Sequence, residues 1–245
     1  MMRFGFPSLL GVLAWLFAGG VAFATQEENR PAARPAEVQR HGVEFEDWIR
    51  QTFFEGYQGE TYTQKWDIPA EANRKYGGIP VNPKATKYRQ SIGLGDALRQ
   101  FDVDEPFLLV VGFWVQETPR EKRFVKVIPV VVEPDVWRSL WHPIQRQDLE
   151  RLDAVIKDRS ISYREARRRA QHIKSLSPFR EAIITVNPKI DSKGQRRLQC
   201  SLSFSRFFQV LAAGFSEEQE EAPMLWGVPV PNRFLSTPRG GQEEE

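Results

Sequence analysis

Ten consecutive residues near the middle of the chain restrict its fold the most. Residues 107–116 read FLLVVGFWVQ and are apolar at successive positions, not only at alternate ones. A strand of this kind is buried on both faces, which requires a layer of structure on each side of its sheet. The chain is therefore predicted to fold around a central sheet that is covered above and below.

Segments with helical and strand-like patterns alternate around this stretch. Helices are predicted over residues 43–54, 94–100, 147–157 and 163–174. Strands are predicted over residues 62–68, 79–85, 107–116, 124–132, 181–186 and 198–208, with a turn toward helix near Val210. This order of helix, strands, helices and strands is typical of an α/β domain with a mixed sheet.

The first 24 residues have the three parts of an export signal. Arg3 supplies the positive charge, residues 9–17 are mostly apolar, and residues 22–24 read AFA, which predicts cleavage before Thr25. Gly19 and Gly20 break the apolar run, and the run is short for a membrane span. We therefore expect a secreted or periplasmic protein that keeps no stable membrane span after signal cleavage.

The rest of the chain divides by composition into three parts. Residues 25–40 are rich in Pro, Ala, Glu and Arg and predict a flexible tether. Residues 41–215 form the predicted α/β domain. Residues 216–245 form an acidic tail containing Pro and Gly, in which Met224, Leu225 and Trp226 are expected to dock on the domain.

The cysteine content excludes a domain held together by disulfides, and the net charge argues against a polycationic protein. Cys200 is the only cysteine, so no intrachain disulfide can form and the core alone must hold the domain. The chain has 34 basic and 32 acidic residues, which argues against a strongly polycationic nucleic-acid binder. Seven tryptophans suggest a carbohydrate-binding role, but most aromatic residues build cores.

Three residues at the ends of neighbouring elements supply the chemistry of phosphodiester cleavage. Glu46 lies on the first predicted helix, Asp67 near the end of the next strand, and Lys84 in the strand after it. Carboxylates hold Mg²⁺ through hard oxygen ligands. A lysine can share with the metal the tasks of orienting water and offsetting charge.

This order of motifs resembles the PD-(D/E)xK nuclease superfamily, and within it restriction-endonuclease-like proteins of undefined specificity. The similarity covers residues 42–116. It implies a restriction-endonuclease-like core, with a central mixed sheet flanked by helices. It also implies that Glu46 and Asp67 bind Mg²⁺ or Mn²⁺, that Lys84 is the catalytic lysine, and that nucleic acid is the substrate. Restriction-like folds often form dimers, so the resemblance is compatible with a homodimer.

The chain departs from the family pattern at Asn82. The second carboxylate of the motif would fall there, and an amide oxygen is a neutral, weaker ligand. Pro83 is also unexpected, because proline removes an N–H and is normally confined to edge strands or bulges. The alternative interpretation makes Asp67 a strand-end cap, Glu46 a solvated helix residue and Lys84 a surface charge. The protein would then be a catalytically inactive nucleic-acid-binding protein, or a structural or interaction protein of the cell envelope.

A second group of residues is basic and predicts contacts with a nucleic-acid backbone. Its members lie on the helix 163–174 and in the segment 189–197 that follows. They are Arg164, Arg167, Arg168, Lys189, Lys193, Arg196 and Arg197. The alternative is a solvated helix face balanced by Glu165, followed by a basic hairpin turn.

Overall fold

The computed structural model describes residues 37–59, 65–118, 121–231 and 234–235. Within these ranges the helices are α1 (Glu37–Phe53), α2 (Ala97–Phe101), α3 (Pro134–Ser139), α4 (Arg146–Lys157), α5 (Tyr163–Lys174) and α6 (Phe204–Arg206). The strands are β1 (Val81–Lys87), β2 (Ile92–Asp96), β3 (Phe107–Gln116), β4 (Glu121–Val132), β5 (Thr185–Ile190), β6 (Arg196–Leu202), β7 (Met224–Leu225), β8 (Val228–Pro229) and β9 (Phe234–Leu235). The predicted signal peptide lies outside the described residues.

The strands form one mixed sheet and two antiparallel ones. The mixed sheet has the order β1-β3-β4-β9, in which β1 and β3 are parallel and the remaining neighbours are antiparallel. A second sheet has the order β2-β6-β5, and β7 pairs with β8. The predicted class, a mixed α/β fold with a central mixed sheet flanked by helices, is confirmed at this level.

Strand β3 has the predicted bounds and is buried on both faces. Leu109, Val111 and Phe113 belong to the larger apolar cluster, which also contains residues of β2, β6, α4 and α5. Leu108 and Val110 belong to the second cluster, which α1 and the β7–β8 hairpin cover. The alternation of side chains along a strand thus gives the central sheet two cores.

Gly112 allows α1 to approach the central sheet closely. A Cβ atom at this position would lie 2.5 Å from Phe124 Cε1 and 2.7 Å from Phe45 Cζ. Those two rings stack with centroids 4.8 Å apart, directly where a side chain of residue 112 would project. The glycine in the middle of this strand is therefore required by packing.

The strand predicted over residues 62–68 is wrong for Lys65–Asp67, while residues 62–64 lie outside the described part of the chain. Only Ile68 pairs, in a single antiparallel bridge with Val81. The next paired position along such a ladder would be Pro83, which has no N–H to donate. Pro83 also fits its place in β1, because β1 is the outermost strand of the mixed sheet and the missing N–H faces that edge.

The helix predicted over residues 94–100 begins later than expected. Ile92 and Leu94 are buried on one side of β2, alternating with Gly93 and Gly95. The side chain of Asp96 then accepts a hydrogen bond from Arg99 N (2.9 Å) and caps α2. Two apolar residues with period two therefore belong to a strand, and only the residues after Asp96 are helical.

The two late strands are displaced from their predicted bounds. The backbone amides of Ile183 and Ile184 both donate to Leu140 O, so this part of the segment 181–186 is a loop, and β5 starts at Thr185. Strand β6 ends at Leu202, because Ser203 caps a helical turn through its side-chain oxygen. The residues Phe207–Leu211 continue that turn as a π-helix.

Part of the acidic tail is built into the folded unit. Leu225 and Val230 are buried in the same cluster as α1, and Trp226 packs against that cluster. The Tyr88 hydroxyl donates to Glu217 O at 2.7 Å, which ties the start of the tail to the end of β1. Within the described ranges, no helix combines the length and apolar character that a membrane crossing needs.

Candidate functional site at the edge of the mixed sheet

Asp67 and Lys84 meet at the outer edge of the mixed sheet. Lys84 Nζ lies 2.7 Å from Asp67 Oδ2. The Ile68–Val81 bridge holds the two chain segments side by side, so that residues 17 apart in sequence come into contact. Lys84 Nζ also donates to Pro83 O at 2.9 Å. Both side chains remain partly exposed, at 21% for Lys84 and 32% for Asp67, so the pair is accessible from solvent.

Arg50 connects α1 to this pair. Its Nη2 group donates to Glu46 Oε1, one helical turn earlier, and to the backbone carbonyl of Asp67 at 3.4 Å. A second contact joins Arg50 Nη1 to Asp47 Oδ1 at 3.4 Å. Arg50 was missed in the sequence analysis. The available signal was its position four residues after Glu46, which puts the two side chains on the same face of a helix.

The pKa of Glu46 is raised by burial and by the negative charges around it. Burial raises it from 4.5 to about 7, and the negative charge of Asp67 adds to that effect. The positive charges of Arg50 and Lys84 act in the opposite direction. Asp67 and Lys84 are thus in direct contact, and Glu46 is linked to the Asp67 backbone through Arg50.

Asn82 lies on β1 two residues before Lys84. It is 4% exposed and pairs with Leu109 of β3 in the strand register. Residues two apart on a strand share a face, so Asn82 and Lys84 project to the same side of β1. Asn82, where the resemblance places a second carboxylate, is thus buried on the same face of β1 as the lysine.

The donor set is compatible with a hard cation but is not a complete cage. Among the described residues, no three His, Cys, Asp or Glu side chains form a group arranged to hold a metal ion. Burial is the main cause of the raised pKa of Glu46, and repulsion from the Asp67 carboxylate adds to it. A cation between them would relieve that repulsion, and carboxylate, amide and carbonyl oxygens are ligands that Mg²⁺ accepts.

The predicted basic residues lie on α5 and the β5–β6 hairpin, and the structure divides them into two sets. In the first set, Arg168 forms an ion pair with Glu165, and Arg167 donates to Ile190 O. Arg196 donates to three backbone carbonyls at 3.0–3.2 Å, those of Ile156, Asp158 and Ile161. These contacts hold the helices and the hairpin together.

The second set is turned to solvent. Arg164, Lys189, Lys193 and Arg197 are exposed, and none of them has an acidic partner in the part of the chain that the structure describes. Burial lowers the pKa of Lys174, and the neighbouring charge of Lys189 lowers it further. Positive charges of α5 and β5 therefore lie close together on this surface.

Comparisons with family models, with curated proteins and with solved structures find no match to this chain.

Proposed function

We propose that the chain is an exported, metal-dependent nuclease of the restriction-endonuclease-like class, which hydrolyses phosphodiester bonds in nucleic acid. The observation that carries the proposal is the 2.7 Å contact between Lys84 and Asp67, to which Arg50 joins Glu46 by hydrogen-bonding both the Glu46 carboxylate and the Asp67 carbonyl. Glu46, Asp67 and Lys84 come from a helix, a sheet-edge segment and a strand. Their convergence is what the PD-(D/E)xK resemblance requires.

The order of elements around the site supports the same proposal. Asp67 immediately precedes the residue that bridges antiparallel to β1, and β1 carries Lys84. The chain then passes through α2 and returns as β3, parallel to β1. The resemblance includes this helix and this strand after the lysine.

The chemistry assigns a role to each residue of the site. Glu46 and Asp67 would hold Mg²⁺ or Mn²⁺, and the Asn82 amide oxygen would be a weak additional ligand. A bound metal supplies Lewis acidity and makes a coordinated water more acidic. Lys84 would orient the attacking water and offset negative charge at the phosphate. Arg50 would fix the carboxylate of Glu46 through the hydrogen bond that joins them.

The basic surface supports a polyanionic substrate. Arg164, Lys189, Lys193 and Arg197 are the residues we assign to the nucleic-acid backbone, because no acidic side chain in the described ranges neutralises them. Arg167, Arg168 and Arg196 already bind protein groups and contribute less. Contacts of this kind give affinity without sequence specificity. We also assign the protein to a secreted or periplasmic location, where a homodimer is compatible with the fold class.

One observation favours a second candidate function. Asn82 is buried where an active site of this class would have a carboxylate. A catalytically inactive nucleic-acid-binding protein, or a structural protein of the cell envelope, could keep the fold and the Asp67–Lys84 pair without hydrolysing its ligand.

Cleavage of supercoiled plasmid DNA tests the proposal against this alternative. The protein is incubated with Mg²⁺, with Mn²⁺ or with EDTA, and nicking is followed on a gel. We expect nicking that needs the metal and is lost in Asp67→Ala. Asp135→Ala is the matched control, because Asp135 is 95% exposed and lies on α3. Absence of nicking by folded protein in either metal would favour the inactive alternative.

A further inference from the structure

The loop between Asp67 and β1 has a fixed shape set by a buried asparagine. Asn73 has no exposed surface. Its Nδ2 donates to Tyr76 O at 3.0 Å and to Ile79 O at 2.7 Å, and its Oδ1 accepts from Tyr76 N at 3.0 Å. A backbone hydrogen bond from Gly78 N to Asn73 O, 2.9 Å long, closes the loop. Residues 73–79, which we call the Asn73 loop, are thus preorganised.

The Asn73 loop presents two positive charges to solvent. Arg74 and Lys75 are exposed, and neither has an ion-pair partner in the described ranges. Glu71 is the only acidic residue in the segment 68–80, so the segment carries a net positive charge. These two residues are separate in sequence and in fold from the basic surface on α5 and β5.

An aromatic pair lies directly beside these charges. The rings of Tyr76 and Trp226 stack with centroids 3.8 Å apart and planes inclined by 17°. Phe53 and Phe54 contact both rings edge-on, at centroid distances of 4.9–6.2 Å. The two Phe residues are buried, whereas Tyr76 and Trp226 stay partly exposed. We call the stacked, partly exposed rings of Tyr76 and Trp226 the aromatic step. The two buried Phe residues pack against it.

The aromatic step lies on the same side of α1 as the candidate catalytic residues. Glu46, Arg50 and Phe53, the last residue of α1, follow one another at intervals of four and three residues, which places them along one stripe of the helix. At a rise of 1.5 Å per residue, Glu46 and Phe53 are separated by about 10 Å along the axis. A bound strand of a few nucleotides could reach from one place to the other.

We propose that the Tyr76–Trp226 pair and the Asn73 loop bind an unpaired segment of nucleic acid next to the catalytic site. A base would extend the aromatic stack, and Arg74 and Lys75 would contact the adjoining phosphates. Stacking on aromatic rings combined with a basic track is how proteins bind single strands without reading their sequence. This inference rests on the proposed function for its ligand class, and it adds a preference for single-stranded or locally opened substrate.

Binding of a fluorescein-labelled 12-nucleotide oligo(dT), followed by anisotropy in EDTA, tests the role of the stack. We expect Tyr76→Leu to weaken binding about tenfold, since loss of one base–aromatic stack has an effect of this order. Tyr76→Phe keeps the ring and is expected to regain the lost affinity. An abasic strand of equal length and charge has no bases to stack, so Tyr76→Leu and the parent should bind it equally.

The two charges are tested by the dependence of the same binding constant on salt. For single strands the slope of log K against log salt changes by about 0.7 for each phosphate contact. We expect Arg74→Ala/Lys75→Ala to reduce the slope by about 1.4 on that basis. Arg151→Ala/Arg180→Ala removes the same charge from exposed positions elsewhere and should leave the slope unchanged.

Equal loss of affinity for oligo(dT) and the abasic strand in folded Tyr76→Leu would overturn the stacking role. Binding of cellohexaose that depends on Tyr76, without binding of oligo(dT), would assign the aromatic step to a carbohydrate instead. Because all of these measurements are made in EDTA, they do not depend on catalysis. Stacking-dependent binding in a protein that cleaves no DNA would uphold this inference and reject only the nuclease activity.

Discussion

The candidate site consists mainly of three side chains, those of Glu46, Asp67 and Lys84. Glu46 is the most informative of them, because burial and the charge of Asp67 raise its pKa to about 7. The folded protein therefore binds the Glu46 proton more tightly than the unfolded chain does. A group of this kind adds stability at low pH, and the contribution is lost as the pH rises from about 4.5 to about 7.

This behaviour predicts a pH-dependent effect of Glu46→Gln. At high pH the parent contains a charged, poorly solvated carboxylate that the variant lacks. We expect the stability of the variant relative to the parent to rise by about 1–2 kcal/mol between about pH 5 and about pH 8, allowing for partial exposure. Urea unfolding at the two pH values measures it, with the exposed Glu71→Gln as control. A difference that is the same at both pH values would contradict the raised pKa.

Motif order predicted Glu46, Asp67 and Lys84, whereas the positions of Arg50 and Arg196 depend on contacts with backbone carbonyls. Asp67 and Lys84 are in direct contact, and Arg50 links Glu46 to the Asp67 backbone. Arg50 was missed because an Arg four residues after a Glu looks like an ordinary surface ion pair. Arg196 was assigned to nucleic acid from its charge alone. Its acceptors are main-chain carbonyls, which no side-chain pattern reveals.

At the scale of elements, long uniform patterns were predicted well and short mixed ones were not. Strand β3 and helix α5 have the bounds expected from sequence. The last three residues of β2 were predicted as the start of a helix, because Leu94, Ala97 and Leu98 fall at helical spacing. Helix α3 was not predicted, since its first residue is Pro134, and proline both ends strands and occupies the first position of helices.

The contact between α1 and β3 yields a prediction about Gly112. A methyl group there would overlap Phe124 and Phe45, whose rings are buried and stacked. We expect Gly112→Ala to lower the free energy of unfolding by about 1–3 kcal/mol, the usual cost of overpacking. Gly93→Ala is a matched control in β2, because no atom lies within 4 Å of a Cβ there. Equal stability of the two variants in urea titrations would show that the two rings can move apart.

At the scale of the whole molecule, the tail takes part in holding the mixed sheet. Lys126 of β4 is buried, with its side chain 4% exposed, and its Nζ lies 2.6 Å from Glu220 Oε1. The backbone amide of Glu220 also donates to Val125 O at 2.7 Å. A residue of the acidic tail thus neutralises a buried lysine 94 residues earlier in sequence.

Removal of the Glu220 carboxylate should lower the stability of the whole fold. Glu220→Gln leaves a charged lysine in the sheet without its counter-ion, so we expect a loss of about 1–3 kcal/mol of stability. Glu218→Gln removes another exposed charge from the same segment and should have little effect. Thermal unfolding of the two variants measures the difference. Equal melting temperatures would mean that Lys126 finds another partner.

We propose that the edge of the mixed sheet is a metal-dependent phosphodiesterase site. The most direct test of this proposal is plasmid cleavage in Mg²⁺ by two variants of one strand, Lys84→Ala and Lys87→Ala. Lys84 contacts Asp67, whereas Lys87 is exposed at the end of β1. We expect the parent and Lys87→Ala to cleave the plasmid. Lys84→Ala should cleave it at least about a hundredfold more slowly, because this is the usual loss for a group that stabilises transition-state charge. Equal cleavage by both variants, or none by the folded parent, would contradict the proposal.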